Sequence, residues 1–278
     1  MDLRYRQHGE GRKCGVFMTR WLPYAGLATA LFLLLAGNAS TRDTADGHDA
    51  IRRAFASTVQ IFSERDGGVH RAASGVVFDT DDERSLIVTA AHVVEPVVDQ
   101  SISVVSSGAD RIVKGVVVFS DAATDVAVLS TPPLAVPEIR LQTETSLGDP
   151  MWVISYPWGK RATLVSGIVS QIGGEWDNTS IPMTGPVAMI DAPVSYGSSG
   201  GAIFDSSTGR LVGIVRGYKT AKLAVPGGDP VNFPLSGETT AVATSTILCI
   251  AQGTPAAALA AHGSAPNCAD PTKVAGAR

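Results

Sequence analysis

The stretch "PVSYGSSGGAIFD", Pro193–Asp205, places three glycines (Gly197, Gly200 and Gly201) and the adjacent pair Ser198–Ser199 between apolar segments. A glycine-rich run of this kind can be punctuation between strands. It can also let backbone N–H groups face a ligand with no Cβ atoms in the way. The rest of the chain has to decide between the two, and to say which serine is special.

Around this stretch the pattern is short apolar runs separated by turns. Residues 57–63, 73–79, 85–90, 101–106, 111–120 and 125–130 read as strands, as do 150–156, 162–172, 186–192, 201–205 and 210–218. Regularly spaced strands without helices between them predict an all-β barrel or sandwich. A division near 145–150 gives two similar six-stranded halves. Residues 239–252 begin extended and then turn helical, with Thr244 or Ser245 as an N-cap. Residues 40–53 are small and polar and read as a linker before a domain over 54–252. Residues 253–278, rich in Ala, Gly and Pro, read as a flexible tail.

Composition narrows the function classes. The chain has 278 residues, is 45% hydrophobic and 17% charged, and so can bury a core. Residues 1–21 hold five basic residues against two acidic ones, which leaves the remainder at −7 against the whole chain's −4. An acidic body excludes a phosphate-binding surface, and no nucleic-acid partner is expected. Leu22–Gly37 is uncharged, mostly apolar and preceded by Arg20, yet shorter than the roughly 20 residues of a membrane span. Residues 1–39 therefore read as an export signal, with an uncleaved signal anchor as the competing reading. Membrane association follows only from the second. Export leads to a periplasmic or extracellular location. Cys249 and Cys268 would remain after cleavage, either as a disulfide closing the tail or as two separate thiols. No metal or cofactor is expected: there is no HExxH, no paired CxxC and no phosphate-binding loop.

The chemistry lies at three points. His92 follows "SLIVTAA" at the end of a buried strand, where it can be held rigidly while facing a cleft. Asp125 puts a carboxylate at the mouth of an apolar strand, which is costly unless it is paired; a capping aspartate is the other reading, and Asp121 would serve that role equally well. A serine hydroxyl needs a base to take its proton, and the base needs a carboxylate to hold its tautomer. The reaction then places negative charge on a carbonyl oxygen, which needs N–H donors. "GSSGG" supplies them, since Gly197 lets its own N–H and that of Ser199 converge on one point.

The blocks "TAAHVV" (89–94), "DVAVL" (125–129) and "GSSGGAIFD" (197–205) resemble the signature blocks of trypsin-like serine proteases, in that family's chain order. "SGVVFD", "SLGDPMWVISYPWG", "TLVSGIVSQIG", "DAPVSYGSSGG", "RLVGIV" and "AVATSTI" resemble landmarks of its bacterial HtrA/Deg branch, over roughly 55–250. The resemblance implies two perpendicular β-barrels with a site in the cleft between them, and a short C-terminal helix. It implies a serine endopeptidase that cuts polypeptides through an acyl-enzyme. His92 would be the base, Asp125 its orienter and Ser199 the nucleophile. Gly197, Ser199 and Ser198 would form the oxyanion hole. A catalytically silent peptide-binding module is the alternative.

Departures from the family pattern carry expectations too. Ser198 stands where activatable enzymes carry an aspartate that pairs with a newly cut N-terminus, so no zymogen cleavage is expected. Pro193 stands where trypsin has an acidic residue. A pocket lined by Asp191, Pro193, Val194, Tyr196, Val215, Arg216 and Gly217 should prefer small or apolar side chains, with Arg216 narrowing or charging it. HtrA proteins usually carry a PDZ domain after the protease domain, and residues 253–278 are too few for one.

Overall fold

The computed structural model describes residues 47–65, 68–106, 111–173, 183–225 and 228–251. The chain divides into two compact units, Met1–Gly47 and His48–Arg278. The segments read as an export signal (1–39) and a flexible tail (253–278) lie outside the described residues, and so does Cys268. Cys249 is disulfide-bonded.

Two closed antiparallel barrels of six strands each make up the second unit. The first contains β1 (Thr58–Arg65), β2 (Val69–Thr80), β3 (Ser85–Thr89), β4 (Gln100–Ser106), β5 (Ile112–Asp121) and β6 (Val126–Thr131). Its order round the barrel is β1-β2-β3-β6-β5-β4. The connector that follows carries β7 (Thr145–Ser146), paired with β10 (Thr184–Gly185). The second barrel contains β8 (Pro150–Ser155), β9 (Thr163–Ile172), β11 (Val187–Asp191), β12 (Ala202–Asp205), β13 (Leu211–Leu223) and β14 (Val231–Ala243). Its order is β11-β14-β13-β12-β8-β9. The helices are α1 (47–57), α2 (Ala91–Val94) and α3 (Thr244–Ala251).

The apolar runs are continuous because most strands are buried on both faces. β3 shows this: all five of its residues are buried. Successive side chains alternate across a strand. Ile87 therefore enters the core of the first barrel, while Leu86 and Val88 enter a cluster shared by both barrels. In β8, Met151 and Val153 fill the second barrel, and Ile154 joins the shared cluster. Phe204, Leu211 and Ile214 complete that cluster, with Ala54 of α1 and Ile247 and Leu248 of α3 packed into it. The barrels are thus joined by a third core, and the ends of β3, β6 and β12 meet beside it.

Two elements differ from the sequence expectation. The stretch read as a linker ends in α1, where Ala54 and Ser57 are buried, Phe55 packs half-buried against the shared core, and only His48, Asp49, Arg52 and Arg53 are exposed. Its apolar stripe, Ala50, Ile51, Ala54 and Phe55, is about one and a half turns long and begins inside a polar run. Ser57 and Thr58 hydroxyls donate back to the carbonyls of Arg53 (3.0 Å) and Ala54 (2.8 Å). β14 begins at Val231 rather than near 239 and pairs with β13 out to Leu223. That ribbon leaves Leu223, Val231 and Phe233 exposed, so no buried face imposes a two-residue period, and Pro230 and Pro234 read as loop. At α3 the Thr244 hydroxyl donates to the Leu211 carbonyl (3.2 Å), tying the helix to β13.

Candidate active site

His92 sits in α2, a single helical turn after β3. Ala91, Val93 and Val94 are buried, and His92 is the residue that faces outward, its side chain 51% exposed. The packed neighbours hold the turn, and the ring is free to meet a partner. That partner reaches it from the turn before β6. Asp125 has φ 60°, a strained value for a non-glycine residue, and its side chain is 10% exposed. Asp121 does the capping work instead, accepting from the N–H groups of Ala123 and Thr124 (both 3.3 Å). Asp125 is left for His92. Its Oδ1 accepts the His92 backbone N–H at 2.9 Å, and both carboxylate oxygens lie 3.0 Å from Nδ1. On the other side of the ring, Nε2 is 3.0 Å from Ser199 Oγ.

Ser199 is held by the turn that precedes it. The Ser198 N–H donates to the Ser195 carbonyl at 3.0 Å, and Gly197 has φ +90°. An i to i+3 bond with positive φ at the third residue is the signature of a type II turn, which favours glycine there. Space makes the same demand, since a Cβ on Gly197 would stand 2.7 Å from the Trp158 nitrogen and 2.8 Å from the Tyr156 carbonyl. Among the described residues, neither the Gly197 nor the Ser199 N–H donates to a protein acceptor, which leaves both for a ligand oxygen. Ser198 differs from the expectation. Its N–H is used inside the turn, so it is no third donor. Its hydroxyl, 1% exposed, accepts from Ser155 Oγ at 3.1 Å.

The sequence reading missed Ser74. This fully buried residue of β2 reaches from the first barrel to the loop of the second. Its N–H donates to the Ser199 carbonyl (2.9 Å). Its hydroxyl donates to the Gly197 carbonyl (2.8 Å) and accepts from the Tyr156 N–H (2.8 Å). Thr89, at the end of β3, donates in turn to the Ser74 carbonyl (2.7 Å). The only signal in the sequence is a small polar residue within "ASGVVFD", and three long-range bonds do not show in such a run. Replacing Ser74 with Ala removes the hydroxyl that accepts the Tyr156 N–H and donates to the Gly197 carbonyl, breaking both buried bonds. Chemical denaturation should show a loss of about 1–3 kcal/mol.

A cleft of about 180 Å³ opens beside Ser199 and His92. Of the residues expected to form the substrate pocket, Val194, Tyr196, Val215 and Gly217 line it, joined by Tyr218. Asp191, Pro193 and Arg216 do not. Asp191 ends β11 and packs against Gly237, whose Cβ would stand 2.3 Å from its Oδ1. Pro193 is exposed outside the cleft. Arg216 falls at a β-bulge, where the β13–β14 register shifts between Val215 and Gly217, and the bulge aims its side chain away from the cleft. Its Nε is 3.5 Å from Asp125 Oδ2. Arg71, which sequence reasoning did not single out, lines the cleft on the His92 side and donates to the His92 (2.6 Å) and Glu95 (3.1 Å) carbonyls. Burial, and then the neighbouring Arg71 guanidinium, pull Arg65 below its ordinary range.

Comparisons with known proteins show what the chain is similar to. Residues 73–214, just over half of the chain, match the family model described as a trypsin-like peptidase domain. Serine endoprotease DegS of Escherichia coli K12 is 30% identical over 188 residues, covering 63% of this chain and 50% of that protein. A serine protease HtrA-like protein of Staphylococcus epidermidis is 35% identical over 156 residues, covering 51% of this chain and 26% of its own length. The chain therefore spans half, or about a quarter, of the length of these relatives. Among solved structures, the serine endoprotease from Yersinia pestis superposes with a TM-score of 0.55 at 25% identity, covering 74% of this chain and 65% of that one.

Proposed function

The chain belongs to the trypsin-like peptidase family, and on that premise we propose that it is a serine endopeptidase acting through Ser199, His92 and Asp125. The observation that carries the reading is the unbroken relay from Ser199 Oγ to His92 Nε2 (3.0 Å) and from Nδ1 to Asp125 (3.0 Å). His92 takes the hydroxyl proton as Ser199 Oγ attacks the scissile carbonyl. The N–H groups of Gly197 and Ser199 receive the oxygen as it gains charge; such donors are worth about 10²–10³ in kcat each. His92 then gives the proton to the leaving amine, and an acyl group stays on Ser199. Water, activated by the same imidazole, releases it.

The turn that presents these donors is formed in the uncut chain. Ser198 needs no ammonium partner, since its hydroxyl is satisfied by Ser155. That supports activity without cleavage of a precursor. Ser198→Ala would leave the buried Ser155 hydroxyl unpaired, and we expect a stability loss of about 1–3 kcal/mol in denaturant titrations.

On the acyl side the lining is Val194, Tyr196, Val215 and Gly217, with no carboxylate to hold a Lys or Arg side chain. Small or apolar residues fit before the scissile bond. Polypeptides are the substrate class, and residues 1–39 would carry the protein out of the cytoplasm, with a membrane anchor if they are retained. Among the described residues no helix is long and apolar enough to cross a membrane.

The test is to incubate the purified chain with a denatured protein and sequence the products by mass spectrometry. New termini following small or apolar residues, absent with Ser199→Ala, are the expected result. Peptides held by the parent chain but never cut would favour the peptide-binding alternative instead.

A further inference from the structure

Asp125 carries a partner that its proposed role does not account for. The carboxylate is 10% exposed, so each of its oxygens needs a donor. Oδ1 has two: the His92 backbone N–H at 2.9 Å and the ring Nδ1 at 3.0 Å. Oδ2 has the same ring nitrogen at 3.0 Å. Oδ1 is therefore held twice, while Oδ2 has only a share of the ring N–H and is the less constrained oxygen. Arg216 adds the missing constraint, with Nε 3.5 Å from Oδ2. It comes from β13, on the other barrel, and from the strand whose Val215 and Gly217 line the cleft.

We propose that Arg216 is a positioning residue: it locks the Asp125 carboxylate so that His92 keeps the tautomer and orientation that Ser199 requires. This rests on the reading of Asp125 as the orienter of His92. A guanidinium suits the task because it is planar, always charged and weakly hydrated. It also has a cost, since a fixed cation opposes the imidazolium that forms on His92. Distance and solvent decide between the two effects. The contact with Oδ2 is direct and that oxygen is nearly buried. The Arg216 side chain is 44% exposed, so water and salt screen its longer-range repulsion of the ring. The locking contact therefore outweighs the repulsion. The same ion pair ties the strand beside the substrate to the base of the other barrel.

The experiment compares the full chain with Arg216→Ala and Arg216→Lys, each also in an Asp125→Asn background. Steady-state peptide hydrolysis gives kcat and KM separately. Arg216→Ala should lower kcat about threefold, the scale of a partly exposed ion pair, with KM unchanged. Arg216→Lys should recover most of the loss, because an ammonium can still meet Oδ2. In the Asp125→Asn background Arg216→Ala should add nothing, since residues acting as one unit are not additive. A raised KM with unchanged kcat would overturn the proposal by making Arg216 a substrate contact, and so would an equal loss in both backgrounds. A second readout does not depend on turnover. The proton of the His92 Nδ1–H to Asp125 hydrogen bond should give a sharp low-field resonance in the parent that broadens in Arg216→Ala and returns in Arg216→Lys. A resonance unaffected by Arg216→Ala sinks the proposal even if the parent chain hydrolyses nothing, which would be a failure of the endopeptidase reading and not of this one.

Discussion

Ser199→Ala should lower kcat/KM by at least ~10⁴-fold while the protein stays folded. The change deletes one oxygen, the atom 3.0 Å from His92 Nε2. The residue is only partly buried, and its backbone bonds, including the Ser199 carbonyl to the Ser74 N–H (2.9 Å), do not involve the hydroxyl. Thermal unfolding should therefore move little while hydrolysis stops. The turn and cleft persist, so the variant should still bind a peptide that the parent cuts. Kinetics beside an unfolding curve check this. Retained hydrolysis at more than a hundredth of the parent rate would mean that another group is the nucleophile.

Gly200→Ala should be the most damaging single methyl in the site, with a loss of about 3–5 kcal/mol in stability and of measurable activity. Two causes act together. Gly200 has φ +77°, where a side chain is strained, and its Cβ would stand 2.2 Å from the Ser74 carbonyl oxygen and 2.3 Å from Thr89 Oγ1. Neither atom can yield. The Ser74 carbonyl accepts the Thr89 hydroxyl, and the same backbone donates to Ser199. To make room, the loop must leave the first barrel, which separates Ser199 from His92. An unfolding midpoint equal to the parent's would show that the two barrels meet more loosely here than the distances say.

These effects bear on the question raised by "GSSGG". Its glycines are not mere punctuation. Gly197 is demanded by the type II turn and Gly200 by the close approach of β2 and β3. The role of Gly200 was not legible, because it lies in contacts with residues of the other barrel. That of Gly197 was legible, because a turn is a local event and its residue types name its conformation. The positions of His92 and Asp125 at the ends of apolar strands were legible for the same reason, and two six-stranded barrels followed from strand spacing and family resemblance. Ser74 was not legible, since its importance lies in bonds to residues over a hundred positions away, such as Gly197. Arg216 was misplaced for a different reason. β13 is irregular there, with its register against β14 shifted between Val215 and Gly217, and the bulged Arg216 is aimed out of the pocket. A bulge leaves no mark in the alternation of apolar and polar residues, so its effect on Arg216 was not legible. The outer part of β14 escaped because its exposed residues leave no hydrophobic period to read, and α1 because its short apolar stripe begins inside a polar run.

The central claim is that the uncut chain holds an activated serine at position 199. The most direct measurement is labelling of the purified full chain with a fluorophosphonate, beside Ser199→Ala and His92→Ala, with the modified residue located by mass spectrometry. The account predicts labelling of the parent alone, on Ser199, in a chain that has not been cleaved within residues 47–251. A folded parent that takes up no label, or takes it up on another serine, would contradict it.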